Sequence, residues 1–102
     1  MATLYLYDLI AKHACDRYVD LFHERFGTEV EITEDLCEQN CDFAYEWAGE
    51  HLLRDNSDFL VFEQQCWDTW CKHPGWSEDD CDTIYRRPVA RAWARQYILE
   101  NP

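Results

Sequence analysis

Basic residues, glycine and long apolar runs are scarce in this chain, and each scarcity excludes something. Nine Lys and Arg stand against 21 Asp and Glu, for a net charge of -12. A surface of that sign repels nucleic acid and anionic membrane, so direct binding to either is not expected. Only three glycines occur and none clusters, which leaves no Gly-rich loop to cradle a phosphate. No apolar run approaches the length a bilayer requires. The opening Met1-Ala2-Thr3-Leu4-Tyr5 lacks a basic segment followed by an apolar stretch, so no secretory signal is expected. The expected compartment is the cytoplasm, where the six cysteines stay as thiols rather than forming a disulfide framework. No Cys-x-x-Cys pair is present, the spacing that structural zinc most often uses.

What the chain does contain is enough apolar material for a core: 47% of residues are hydrophobic and 16% aromatic. Disordered acidic chains lack such residues. Residues 1–102 are therefore expected to fold as a single domain, with its carboxylates outside, because unpaired charges are not buried. The charge is unevenly spread. Residues 1–82 hold twenty acids against Lys12, Arg17, Arg25, Arg54 and Lys72, for -15. Residues 83–102 hold Arg86, Arg87, Arg91 and Arg95 against Glu100, for +3.

Apolar periodicity predicts an all-α fold, a compact bundle of four or five short helices. Over 5–26, Ile10, Ala11, Ala14, Cys15, Tyr18, Leu21, Phe22 and Phe26 fall on one helical face, and Gly27 stands where the helix should end. Leu4 to Tyr7 also suits an extended start. Residues 28–33 alternate polar and apolar, but without a second strong strand pattern they read as a connector. Thr33 is placed to cap a second helix over 34–53, with Cys37, Cys41, Ala44, Trp47, Ala48 and Leu52 inward. Ser57 is placed to cap a third, over 58–72, which buries Phe59, Leu60, Phe62, Cys66, Trp67, Trp70 and Cys71. His73-Pro74-Gly75 is a break. Ser77 and Asp80 then resemble a capping box for a fourth helix over 78–87. Pro88 either kinks that helix or opens a fifth, in which Val89, Ala92, Trp93 and Tyr97 point inward.

The most conspicuous candidate site is a row of acids, Glu34, Glu38, Asp42, Glu46 and Glu50, joined by Asp35. On one helix, residues four apart lie about 6 Å apart along the axis. Phosphates of one DNA strand recur at a comparable interval, one per roughly 3.4 Å of rise. Asp16, Asp20 and Glu24 form a shorter row on the first helix. Like charges so spaced repel, so each row is either a solvated face of an acidic protein or a surface kept for a basic partner. Trp76, after Pro74-Gly75, suits an interface anchor or a cover for the end of the bundle. Arg87, Arg91 and Arg95, with Arg86, form the opposite surface, which suits pairing with acids of the same chain or of a second copy.

The remaining chemistry is thin. Cys37 and Cys41 at i and i+4, with Cys66, Cys71, His51 and His73, set a metal reading against one of small buried hydrophobes. The negative surroundings disfavour thiolate chemistry, and the carboxylates point outward rather than into a cleft. No catalytic residue, metal ligand or cofactor is assigned.

Small size, the helical pattern and the outward rows Asp16/Asp20/Glu24 and Glu34/Glu38/Asp42/Glu46/Glu50 resemble the small acidic inhibitors made by bacteriophages and plasmids, of the anti-CRISPR and DNA-mimic kind. The resemblance implies a non-enzymatic protein of the host cytoplasm. Its acidic face would occupy a basic nucleic-acid-binding surface of a defence complex, CRISPR–Cas or restriction enzyme. The basic segment 86–95 departs from a uniform DNA mimic. Two other readings stay open: an acidic adaptor or regulatory bundle acting as a homodimer, and a small metal-binding or thiol protein.

Overall fold

The chain begins extended. In the computed structural model, which describes residues 2–72 and 82–101, strand β1 (Thr3–Tyr5) pairs antiparallel with β2 (Glu29–Glu31). Leu4 stands opposite Val30, and Thr3 and Tyr5 stand opposite Glu31 and Glu29. The period of two puts Leu4 and Val30 on the core side and the polar pairs on the other. Residues 28–33 are thus not the connector the sequence suggests. Their partner is the extended start of the chain, too short to carry a strand pattern of its own. A two-stranded ribbon is marginal alone, and this one is held by its surroundings. Ile32 N–H donates to the Ala2 carbonyl at 2.7 Å and Leu6 N–H to that of Thr28 at 2.8 Å. Tyr97 OH donates to the Thr3 carbonyl at 3.1 Å.

The rest is a compact helical bundle with six α-helices among the described residues: α1 (Leu6–Ala11), α2 (Asp16–Phe26), α3 (Glu34–Gln39), α4 (Tyr45–Leu52), α5 (Asn56–Lys72) and α6 (Arg87–Glu100). A π-helical turn (Asp82–Arg86) leads into α6. Two of the expected long helices are therefore each broken in two, and both breaks have local causes.

The 5–26 segment stops at His13, whose φ is 60°, in the left-handed region. Ala14 N–H reaches back to the Leu9 carbonyl at 2.9 Å and His13 N–H to that of Ile10 at 3.1 Å. That is the bond pair of a Schellman stop, built on histidine rather than the usual glycine. The chain turns there, and Ile10, Ala11 and Cys15, expected inside, are exposed.

The 34–53 segment starts as expected, with Leu36 N–H donating to Thr33 Oγ1 at 3.1 Å. It stops at Asn40, whose side-chain amide donates to the Leu36 carbonyl at 2.8 Å and so competes with the helical ladder. The Tyr45 hydroxyl sits 3.1 Å from the Cys37 carbonyl and 2.9 Å from that of Asn40, helping to satisfy the orphan acceptors of the α3 end.

The start of α5 is capped by Asp55, whose Oδ1 accepts from Ser57 N–H at 2.7 Å, and not by Ser57. Glu100, at the end of α6, accepts from the Arg54 and Asp55 amides at 2.8 and 2.9 Å, a carboxylate where helix α5 is electropositive. Pro88 lies in the first turn of α6 and opens that helix instead of kinking one.

The core gathers around α6, where Val89, Ala90, Ala92, Trp93, Ala94, Gln96 and Tyr97 are all buried. Trp93 stacks on Tyr97 with ring centroids 4.9 Å apart and leans on Tyr45 at 5.6 Å. Phe22, Cys37, Ala48 and Phe62 reach the same core from α2, α3, α4 and α5. Only part of the broad face expected of α5 is buried: Phe62 is inside and Phe59 and Cys66 are half-buried, while Leu60, Trp67, Trp70 and Cys71 are exposed. The His73-Pro74-Gly75 break, the Ser77/Asp80 capping box and residues 78–81 of the expected fourth helix lie outside the described residues. Among the described residues no helix is long and apolar enough to cross a membrane.

Candidate functional site

The acids between 34 and 50 do not form one row, because α3 ends before Asp42 and α4 begins after it. Those on α3 face α6 and are neutralised there. Arg91 donates from Nε to Glu38 Oε2 at 2.9 Å and from Nη2 to Asp35. Arg95 Nη2 donates to Glu34 Oε1 at 3.0 Å. The Glu38 carboxylate first, and Asp35 after it, keep the Arg91 guanidinium more firmly protonated than an isolated arginine. Arg91 and Arg95 of the basic stripe thus pair with acids of their own chain, and Glu34, Asp35 and Glu38 hold α3 on α6 instead of lining an open face.

Asp42 is tied to α2. Arg25 grips it with two nitrogens, each at 2.8 Å, and lies over the Phe43 ring at 5.4 Å. The Arg25 guanidinium holds the Asp42 carboxyl below the ordinary carboxylate range, against a smaller opposing effect of burial. With its folded-state pKa lowered, Asp42 adds stability above the unfolded value of about 3.9 and loses it as pH falls through the folded value. Asp42→Asn is therefore expected to cost under about 1 kcal/mol at neutral pH, as suits a partly exposed pair. Urea titrations of the two proteins should converge once the pH has fallen below the folded-state value of Asp42. A gap persisting there would mean that Asp42 acts through packing rather than charge.

The other predicted residues fare differently. Asp16, Asp20 and Glu24 stay on one continuous helix, exposed, with no ion pair among the described residues. Glu46 accepts from the Tyr85 hydroxyl. Glu50 is exposed and has no ion pair among the described residues. Trp76 lies outside the described residues.

Glu46 and Glu50 belong to a feature the sequence did not disclose. They form one rim of a groove of about 510 Å3 between α4 and α5, whose wall continues through Phe59, Phe62, Glu63, Cys66, Trp67, Trp70 and Tyr85. Trp67 is 61% exposed and Trp70 51%. Trp70 meets the Tyr85 ring edge-on, 5.6 Å between centroids. The site missed by sequence reasoning is therefore Phe59, Glu63, Trp67 and Trp70. Its one available signal is the charge of Glu63, four residues before Trp67, on a face otherwise apolar enough to read as core.

The groove combines three carboxylates with accessible indole faces. Carboxylates attract a cation over distance, and an indole face binds it on contact. Lysine or arginine side chains of a partner, with their apolar stems, fit both features.

Thiol chemistry finds little support among the described cysteines. Burial pushes the Cys37 thiol up to about 12. Burial first, then Glu46 and Glu63, pushes Cys66 up to about 12. Both stay protonated near neutral pH and are poor nucleophiles and ligands. Cys15 and Cys71 are exposed thiols. Among the described residues no group of three or more His, Cys, Asp and Glu is arranged to hold a metal ion. No protein-family model, no curated protein and no solved structure matches the chain.

Proposed function

We propose that this chain is a non-enzymatic inhibitor that acts by occupancy. Its α4–α5 groove docks on a Lys/Arg-rich surface of a nucleic-acid-handling defence complex, of CRISPR–Cas or restriction type, and excludes the nucleic acid. The observation that carries the reading is the groove itself: Glu46, Glu50 and Glu63 beside exposed Trp67 and Trp70, in a chain of net charge -12. The class of partner rests on the resemblance in size, charge and helical pattern described above. Exposed tryptophans are the residues most often found as binding hot spots. The surrounding charge speeds encounter with a basic partner and makes binding salt-dependent. The free row Asp16, Asp20 and Glu24 extends the attractive field without an aromatic anchor.

The test is capture of partners from a bacterial lysate on the purified chain, washed at about 0.1 M and about 0.5 M salt, the range over which screening shortens from about 10 Å. Glu50→Lys combined with Glu63→Lys is the decisive variant, because neither carboxylate holds the fold together. Reversing Glu38 or Asp42 would break the pairs with Arg91 or Arg25. The double variant is expected to weaken capture at least about tenfold, corresponding to about 1.4 kcal/mol, with unchanged circular dichroism. Full capture by a folded double variant would rule the groove out. Loss on reversing Asp16, Asp20 and Glu24 instead would move the contact to α2.

One observation favours a second reading. Leu60, Trp67 and Trp70 are all exposed on one side of α5, an apolar face that a second copy would cover. An acidic homodimeric adaptor is the outcome if the chain elutes as a dimer at both salts and captures nothing.

A further inference from the structure

The walls of the α4–α5 groove hold carboxylates and an aromatic face in fixed register. Its α5 wall carries Glu63, Trp67 and Trp70, spaced four and three residues apart and so on one face of the helix. The Glu63 carboxylate is one helical turn, about 6 Å along the axis, from Trp67, which is 61% exposed. Glu50, exposed on α4, lines the opposite wall. Glu46 lines that wall too, but it already accepts from the Tyr85 hydroxyl, and Trp70 is met edge-on by the Tyr85 ring. Glu46 and Glu63 both act on the half-buried Cys66 thiol, so each wall brings a carboxylate to the same part of the groove. Trp67, Glu63 and Glu50 are therefore the groups on which recognition would rest.

A cation among these groups meets a flat π face and carboxylates at the same time. Lysine presents a compact, strongly hydrated ammonium with no plane to lay on the ring. A guanidinium is flat and more weakly hydrated. Its face stacks on an indole while its edge donates to carboxylates beside the ring. The chain contains one assembled example of this arrangement. Arg25 lies 5.4 Å over the Phe43 ring while two of its nitrogens donate to Asp42, each at 2.8 Å. We infer, resting on the reading of the groove given above, that the groove is an arginine-selective site: a guanidinium of the basic partner stacks on Trp67 and donates to Glu63 and Glu50. The partner is then a polypeptide that presents arginine rather than lysine at the contact.

Two short peptides of glycine and serine are the probes, one bearing a pair of arginines and the other a pair of lysines, so that length and charge are matched. Each is titrated at low salt into the whole chain, and the Trp67 indole N–H is followed by proton–nitrogen NMR. Trp67→Leu identifies that signal among the five tryptophans. The arginine peptide is expected to move it saturably and to bind at least about fivefold more tightly than the lysine peptide. In Trp67→Leu, followed at the Glu63 amide, arginine binding is expected to fall to about the lysine level. Glu63→Gln, which keeps the size of an exposed side chain, is the second variant and is expected to weaken arginine binding at least about threefold. Equal affinity for the two peptides in the wild-type chain overturns the selectivity and leaves the groove a general cation site. An undiminished arginine preference in folded Trp67→Leu overturns the role of the indole. No saturable change at Trp67 with either peptide overturns the reading of the groove itself, and this inference with it.

Discussion

Trp93→Ala is expected to lower stability by about 3–5 kcal/mol, the range for removing a large aromatic from a packed core. Trp93 is 1% exposed and sits between Tyr97 and Tyr45 on α6, the helix that α3, α4 and α5 all pack against. Its indole N–H has no acceptor, so the substitution orphans no polar partner and the loss is one of packing alone. Domains of this kind hold about 5–15 kcal/mol in total, so one substitution removes a large share of it. Each lost kcal/mol lowers the midpoint by roughly 4–8 °C at this chain length. Thermal unfolding followed by circular dichroism reads the change directly. A loss under about 1 kcal/mol would mean that the helices close the space and that α6 is not the centre of the core.

Gly49→Ala is expected to be harmful where the helix rule says the opposite. Alanine in place of glycine inside a helix ordinarily stabilises by about 1 kcal/mol, and Gly49 lies within α4. Here a Cβ would fall well under 3.0 Å from the Phe62 ring, closer than real Cβ atoms come. Phe62 is 2% exposed, so its ring cannot swing into solvent. Overpacking costs about 1–3 kcal/mol, and subtracting the propensity gain of about 1 kcal/mol leaves a net loss of up to about 2 kcal/mol. Separation of α4 from α5 relieves the strain, and it also widens the groove between Glu50 and Glu63. Gly49→Ala is thus expected to weaken partner capture as well as lower the unfolding midpoint. A stabilised variant with intact capture would show that the two helices have room to spare.

These expectations depend on packing that the sequence carries unevenly. The inward set of α6 follows from spacing alone, because Val89, Ala92, Trp93 and Tyr97 recur with the helical period and nothing interrupts them. The Thr33 cap and the Gly27 stop are equally local, each set by a side chain or glycine acting within one turn. The stop at His13 is local too, but it uses a residue that seldom adopts a left-handed backbone, so the apolar pattern runs across it unmarked. The strand pair is non-local. Thr3–Tyr5 and Glu29–Glu31 are too short to announce themselves separately, and their register exists only once the turn at His13 brings them together.

The acidic residues make the same point for function. That the chain has an excess of carboxylates with nowhere apolar to go, and a basic stretch near its end, is settled by residue counts. Which carboxylates stay available is not. Glu34, Asp35 and Glu38 are spent on Arg91 and Arg95, and Asp42 on Arg25, because the bundle brings together partners far apart in sequence. Trp67 and Trp70 look like core residues, since an apolar stripe on a helix normally finds a neighbour. Composition and period therefore determined the fold class, the acidity and the inward face of α6. Tertiary structure alone decided which charges are neutralised and which aromatic face is left open, because ion pairs and exposure depend on distances between elements that periodicity along one helix does not encode.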